Sequence, residues 1–274
     1  MRLVLKMILP VPFRMVRSEF EFCYFIPLRT SYRSIGTHEL TFSSSSLCFT
    51  VGWLIFASLT GFLAHLLITD ITLLYFLGKV NPFEYLSYIV PAQTTALACA
   101  SSAATLPVTL RCVKATGMVP DDIRNFVCPL GATVNMDGSA IYFPCACVWL
   151  AYLNGINPNA SHFILLVILS TVGSVGTAPV PSSALVLIIT AYNTVFGGSG
   201  TPNGFEFIVA IDWFLDRCIT ALNVTGDTVV SCIIAQNCPL NELPDADKED
   251  VTQKTKKEVS DGSEEDPNED VSNA

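Results

Sequence analysis

Charged residues are scarce in this 274-residue chain. Asp, Glu, Lys and Arg make up 14% of the residues, against 51% hydrophobic residues, and the mean hydropathy is +0.49. A soluble domain carries about 25% charged residues. Twelve of the 24 acids lie in residues 241–274, so the body of the chain is poorer in charge still. This composition predicts that most of the chain has the lipid bilayer as its solvent.

Metal-ligating and catalytic patterns are also missing. The chain has three histidines and ten cysteines, with no C-x-x-C pair among them. A zinc or iron–sulfur site therefore has little support, and scattered cysteines in apolar runs are typical of packing residues. The sequence has no nucleophile–base pair, and its short glycine run at 197–200 is not a dinucleotide fingerprint. We predict no enzyme, no cofactor and no nucleic-acid partner.

The two ends of the chain differ from its body. Residues 1–46 mix basic residues with short apolar patches, and we assign this segment no structure. Residues 239–274 are acidic, lack aromatic residues and have little apolar surface to bury. Such a composition predicts a disordered acidic tail.

Five apolar blocks fill residues 47–238, the predicted core of the protein. A crossing helix needs about 20 apolar residues, and we predict a span at 47–78, a hairpin at 84–113, a span at 126–153, a hairpin at 161–197 and a span at 205–236. The two hairpins are predicted because small, hydroxyl and proline residues interrupt these blocks at 99–107 and 173–183. Such interruptions are typical of two half-helices that meet in a re-entrant hairpin.

Polar residues are concentrated in two of the predicted spans. One span contains Asn135-Met136-Asp137 between helix-weakening glycines and prolines, which predicts local unwinding. The last span carries Asp212, Asp216, Thr220, Asn223 and Asp227 at spacings of 4, 4, 3 and 4, all on one helical face. An ionisable residue at mid-bilayer costs about 2.5–3.5 kcal/mol. Carboxylates and amides with little matching positive charge therefore predict a buried cation site.

Four motifs in order resemble the glutamate and neutral amino acid transporters, the dicarboxylate/amino acid:cation symporters. They are SSAATLP, GATVNMDGS, SVGTAPVP and AIDWFLDR followed by TALNVTGD, within a match that runs from Leu47 to Cys238. The resemblance implies an all-α membrane protein whose transmembrane helices alternate with two re-entrant helical hairpins. It also implies an elevator-type transport domain that carries an amino acid substrate with sodium as the coupling ion.

The resemblance assigns roles to matching positions in the substrate pocket. Ser102 would meet the substrate carboxylate and Asp216 its α-ammonium, the latter by a charge-assisted contact. Thr220 and Asn223 would complete the backbone contacts. Ser139 stands where the family usually has Thr, beside the substrate side chain.

Three sodium sites follow from the same resemblance. Oxygen ligands with one or two carboxylates suit a small alkali cation. The first site would use Gly131, Asn135, Asn223 and Asp227, the second Thr133, Ser174, Val175 and Thr177, and the third Asn135 and Asp137.

One departure bears on the substrate. Family members that take acidic amino acids have an Arg three residues after the ammonium-binding Asp, and this chain has Ile219 there. A buried side-chain carboxylate would lack its partner, at a cost of several kcal/mol. We therefore favour small neutral amino acids, with an acidic amino acid symporter as the alternative. Arg217 occurs in both subgroups and does not discriminate.

Other departures bear on coupling and gating. Phe143, followed by Pro144, stands where the family has Glu in acidic members and Gln in neutral ones. Proton and potassium coupling by the usual route is therefore not expected. Pro179, Ser182 and Ala184 replace glycines of the second hairpin tip, and Pro179 removes an N–H donor. The alternatives that follow are a stiffer tip, altered gating or loss of binding.

The resemblance also sets expectations about location and assembly. It implies a multi-pass protein of the plasma membrane, with the C-terminal tail in the cytoplasm. A homotrimer is implied where the family's scaffold helices are present. Residues before 47 do not supply those helices, so the chain reads as truncated at its N-terminus. A second hypothesis is thus a non-transporting fragment that associates with full-length relatives. Asn159 lies in a glycosylation sequon in a loop placed outside.

Overall fold

The computed structural model describes residues 44–237, with side chains from residue 48 onward. The predictions for residues 1–43 and for the acidic tail lie outside the described residues. Between residues 44 and 237 the chain is helical, with one π-helical turn and no strand. The predicted all-α class is therefore confirmed.

Nine α-helices and one π-helical turn make up the described residues. They are α1 (Ser44–Ala64), the π-turn (His65–Asp70), α2 (Ile71–Phe76), α3 (Pro82–Cys99), α4 (Ser102–Ala115), α5 (Asp121–Val134), α6 (Asp137–Leu153), α7 (Ala160–Val175), α8 (Ala184–Phe196) and α9 (Phe205–Asn237).

The first predicted hairpin corresponds to α3 and α4, which pack against each other. The turn between them consists of Ala100 in a left-handed conformation (φ 51°) and Ser101, whose hydroxyl accepts a hydrogen bond from Ala104 N. Pro107, expected to help break the helix, lies inside α4 instead. The break is set by the Ser101 cap, which satisfies a free N–H group at the start of α4.

The second predicted hairpin corresponds to α7 and α8. Residues 176–183 join the two helices without forming a helix of their own. Asn159 caps α7, because its side chain accepts from His162 N while His162 accepts from the Asn159 backbone. Ser182 adopts φ 59°, a conformation that glycine tolerates best.

The middle span is divided by its polar motif. α5 ends at Val134 and α6 begins at Asp137, so Asn135 and Met136 lie outside both helices. This is where unwinding is predicted. α5 begins at Asp121, five residues before the predicted start at 126, and its first turn holds two acids. Acids are favourable at a helix N-terminus because they complement its partial positive charge.

Helices α6 and α9 lie at the centre of the packing. Nearly every residue of α6 is buried, as expected of a helix that is apolar on all sides. Trp149 on α6 donates to Thr50 O on α1 (3.0 Å). α9 is joined to α3 by the Tyr85 hydroxyl, which donates to Thr228 O (2.7 Å), and by the Gln93 amide, which donates to Thr225 (2.9 Å). These two helices therefore hold the polar motifs of the two spans side by side.

Three helical stretches are long and apolar enough to cross a membrane: Cys48–Phe76, Asp121–Leu153 and Phe205–Asn237. α7 and α8 are apolar but shorter. Many large apolar side chains are exposed on the helices, among them Phe49, Phe56, Leu63, Phe76, Phe83, Val172, Val186 and, at the first half of α9, Trp213. Such faces are favourable in lipid and costly in water.

Candidate functional site

Asn135 joins two buried carboxylates at the centre of the molecule. Its Nδ2 donates to Asp137 Oδ2 (3.2 Å) and to Asp227 Oδ1 (3.3 Å). Asp137 stands at the start of α6 and Asp227 on α9, ninety residues later in the chain. We call Asn135, Asp137 and Asp227 the carboxylate cluster. Two carboxyl groups and one amide thus form a compact cluster of polar side chains inside the protein.

Glycines allow these carboxylates to approach the neighbouring backbone. A Cβ atom added at Gly226 would lie 2.5 Å from Asp137 Oδ2, and one added at Gly131 would clash with Asp227 Oδ1. Real Cβ atoms do not approach so closely, so a larger residue at either position would displace the carboxylate beside it. The Gly131 carbonyl, itself a predicted ligand, accepts from Asn135 N at 2.8 Å. Backbone and carboxylate oxygens thus share one small volume.

Asn223 links α9 to the start of α6. Its Oδ1 accepts from Gly138 N (2.8 Å), and its Nδ2 donates to Met136 Sδ (3.2 Å). A Cβ atom at Gly138 would lie 2.9 Å from the Ile219 Cα atom. The close approach of the two helices at Gly138 therefore fixes Ile219 beside the unwound motif.

The tip of the second hairpin contacts Asp216 directly. Ser182 N donates to Asp216 Oδ2 at 2.9 Å. The first hairpin meets the same tip, since the Ser101 hydroxyl donates to Pro179 O at 2.8 Å. The two hairpins thus close on each other over the carboxylate that the resemblance assigns to a substrate ammonium group.

The remaining predicted substrate residues lie buried around this closure. Ser102 begins α4, and Ser139 lies in the first turn of α6. The residues that are less than 5% exposed are Ser102, Ser139, Ile219, Thr220 and Asn223. Thr220 donates its hydroxyl to Asp216 O (2.8 Å). α9 therefore presents Asp216, Thr220 and Asn223 on one buried face.

The residues of the predicted second sodium site lie on α5, at the end of α7 and in the second hairpin tip, with Ser174 and Thr177 buried. The hydroxyl groups of Thr133, Ser174 and Thr177 each donate to a carbonyl of their own helix or its end. Thr133 is exposed, and Val175 is 48% exposed. α5 and α7, which carry Thr133 and Ser174, are neighbours in the packing.

The guanidinium of Arg217 donates hydrogen bonds to the first hairpin. Its Nη1 donates to Leu97 O (3.0 Å) and to Ala98 O. Both carbonyls belong to the last turn of α3, where free carbonyl groups favour a cation. This guanidinium therefore stabilises the hairpin rather than the neighbourhood of Ile219.

Phe143 takes a packing role. It is 1% exposed, and a Cβ atom at Gly173 of α7 would lie 3.3 Å from its ring. The aromatic ring fills the space between α6 and the first arm of the second hairpin. The position at which the resemblance predicted Glu or Gln is thus apolar here.

Sequence reasoning gave no role to two further sets of residues. The contact between Ser101 and Pro179 joins residues 78 positions apart, and only the serine's position ahead of a helix hinted at its cap. His65 and Asp70 lie within the π-turn next to the carboxylate cluster. Their polarity in an apolar block was the only signal available.

Comparison with known families identifies the family of this chain. The model of the sodium:dicarboxylate symporter family matches residues 39–237. The chain belongs to this family. The resemblance predicted from the motifs is therefore confirmed, as is the expectation that the chain is not an enzyme, because the family consists of transporters.

The curated relatives that this chain matches are longer than the chain. It is 37% identical over 193 residues to excitatory amino acid transporter 1 of Rattus norvegicus, covering 70% of this chain and 34% of the relative. It is 40% identical over 178 residues to excitatory amino acid transporter 3 of Mus musculus, covering 64% and 33%. An excitatory amino acid transporter of Caenorhabditis elegans is 36% identical over 177 residues. The chain spans about a third of the length of the curated relatives it matches.

Proposed function

We propose that this chain serves sodium-coupled transport of an amino acid across a membrane, as a symporter or exchanger. The observation that carries the proposal is the buried carboxylate cluster, together with a third buried carboxylate, Asp216, that lies under the two hairpin tips. A buried pair of ionised carboxylates is costly unless a positive charge compensates it. Sodium supplies that charge in the proposal.

The donor set of the cluster fits sodium. Asp137 and Asp227 offer carboxylate oxygens, and the Gly131 and Asn135 backbone offers carbonyl oxygens at the adjacent helix break. Hard oxygen donors suit alkali and alkaline-earth cations, whereas soft metals favour sulfur. Asn135 would turn its amide as the cation enters, because its Nδ2 now lies where positive charge is needed.

In the proposed binding step, the substrate ammonium replaces the Ser182 N–H at Asp216. The carboxylate group of the substrate meets Ser102 and Asn223, and the substrate side chain lies between Ser139 and Ile219. Opening of the second hairpin admits the substrate, and closure excludes water. An elevator movement of the hairpins and spans then carries the site across the membrane.

Small neutral amino acids are the proposed substrates. Ile219 offers an apolar surface, and Arg217 is engaged by the first hairpin. An acidic substrate is the alternative class, favoured by the family's name and by relatives that are named excitatory amino acid transporters. The two differ in whether a side-chain carboxylate finds a partner in the pocket.

The proposal extends to the setting of the protein. It places the chain in the plasma membrane with its C-terminus in the cytoplasm, and it expects a homotrimer when scaffold helices are present. Asn159 would face outside, where glycosylation is tested by a glycosidase-sensitive mobility shift. Ser161→Ala removes the sequon but leaves the Asn159 cap of α7 in place, which makes it the matched control.

Uptake into liposomes tests the proposal. The purified 274-residue chain is reconstituted, and uptake of labelled alanine, serine, aspartate and glutamate is measured with a sodium gradient and with choline in its place. We expect sodium-dependent uptake or exchange of alanine and serine. Equal uptake with sodium and choline would contradict sodium coupling, and uptake restricted to the two acids would favour the alternative substrate class.

A further inference from the structure

The π-turn brings two polar residues of the first span together. His65 and Asp70 are five positions apart, which in a continuous α-helix separates them by about 140° around the axis. The i to i+5 bonding of a π-turn reduces that angle, and such turns are frequent at functional sites. Both side chains are buried, with 1% and 0% exposed. The turn therefore directs an imidazole and a carboxylate into the same interior region.

His65 lies between carboxylates of two different helical segments. Its Nε2 is 3.7 Å from Asp70 Oδ1 and 3.9 Å from Asp137 Oδ2. Both separations are longer than a hydrogen bond, so a small ring movement brings Nε2 within bonding distance of either oxygen. The imidazole can thus donate a hydrogen bond either to Asp70 or to Asp137 of the carboxylate cluster.

The acceptor to which His65 donates determines how many lone pairs of Asp137 Oδ2 remain for a cation. Asp137 Oδ2 already accepts from Asn135 Nδ2 at 3.2 Å. An oxygen that accepts a second hydrogen bond, from His65, has fewer lone pairs left for a cation. A competing acceptor for the imidazole N–H would leave that oxygen available.

We propose that Asp70 is a positioning residue for cation binding, which draws the His65 N–H away from Asp137 so that Asp137 Oδ2 can coordinate sodium. The inference rests on the proposed sodium site at Asp137. Asp70 does not touch the cation in this arrangement and acts only through His65.

Sodium titration of thermal unfolding tests this role. The full 274-residue chain is purified in detergent, and its unfolding midpoint is followed as sodium replaces choline at constant ionic strength. For Asp70→Leu, which removes the acceptor, we expect the half-stabilising sodium concentration to rise about 3- to 10-fold, the equivalent of one hydrogen bond. Asp70→Asn keeps a weaker acceptor and should give a smaller rise. Thr69→Ala, on the same turn, is the control.

A second variant separates positioning from structure. His65→Phe removes the donor, so adding Asp70→Leu to it should produce no further rise in the half-stabilising sodium concentration. A purely structural Asp70 would lower the sodium-free midpoint and leave that concentration unchanged, which would overturn the inference. A rise that persists in the His65→Phe background would also overturn it. A wild-type chain without any response to sodium would instead remove the proposed sodium site, and the inference with it.

Discussion

At the scale of single residues, the interior of this protein depends on carboxylates whose neighbours are fixed by close packing. Asp137 and Asp227 share the Asn135 amide, and Gly131 and Gly226 leave room for their oxygens. Asp216 is held by the second hairpin tip. Each of these groups is costly to bury alone, so changes at single positions should have large effects on ion and substrate binding.

Asp227→Asn should weaken sodium binding. The change keeps the shape of the side chain and a partner for Asn135 but removes a charge. We expect the half-stabilising sodium concentration to rise about tenfold or more, because contacts to a charged group are worth about 1.5–3 kcal/mol. The control is Asp122→Asn at the exposed start of α5. An unchanged sodium titration in the Asp227 variant would contradict the assigned ligand role.

Ile219→Arg should change the substrate class. A guanidinium at this 2% exposed position would be a buried charge without a partner, which costs several kcal/mol unless a substrate carboxylate pairs with it. We expect loss of alanine and serine uptake and a gain of aspartate or glutamate uptake in reconstituted liposomes. Ile219→Leu preserves the volume and should retain the wild-type preference. Retained serine uptake in the Arg variant would place Ile219 away from the substrate side chain.

At the scale of elements, the two hairpins are differently built. The turn between α3 and α4 is short. It is stabilised by the Ser101 cap and by Arg217 of α9, which donates to a carbonyl group in the last turn of α3. The tip between α7 and α8 is longer, contains Pro179 and Pro181, and holds Ser182 in a left-handed conformation. Each turn thus holds one non-glycine residue in the left-handed conformation, Ala100 in the first and Ser182 in the second.

Ser182→Gly should relieve the backbone strain at this position. A non-glycine residue in the left-handed region costs about 1–2 kcal/mol, and glycine keeps the N–H that donates to Asp216. We expect a higher thermal midpoint without substrate, measured in detergent. Ser182→Ala is the control, because it removes the hydroxyl group but keeps the strain. A glycine variant no more stable than the alanine variant would show that φ at this position carries no cost.

At the scale of the whole molecule, the described residues contain two kinds of surface. Large apolar side chains cover the outer helices, whereas the carboxylates and amides lie inside. This is the distribution that a bilayer requires, since lipid offers no hydrogen bonds to polar groups. The centre of the molecule is consequently short of positive charge.

Sodium should therefore stabilise the whole chain. A ligand that binds only the folded state at 100 times its dissociation constant adds about 2.7 kcal/mol to the free energy of unfolding. We expect the thermal midpoint in detergent to rise with sodium chloride and to stay constant with choline chloride at equal ionic strength. Alanine or serine should add a further rise only when sodium is present. A rise that is the same for both salts would reflect screening rather than a site.

Much of the helical organisation could be read from local patterns. The spacing of Asp216, Thr220, Asn223 and Asp227 determined that they share a helical face, because helical periodicity is a property of the segment alone. The helix break at Asn135 followed from the glycines and prolines around it. The error at Pro107 arose because a proline signals a weak point, while the neighbouring Ser101 cap decided where the helix began.

The sequence alone determined that this is a helical membrane protein, and it predicted a cation site among buried carboxylates. Both follow from properties of single segments, namely their apolar content and their helical periodicity. Only the tertiary structure decided which of those polar groups meet. Asn135 reaches Asp227 across 92 positions, Ser182 reaches Asp216 across 34, and the π-turn places His65 beside Asp137. These contacts depend on how helices pack, and no local pattern specifies the distance between side chains on different helices.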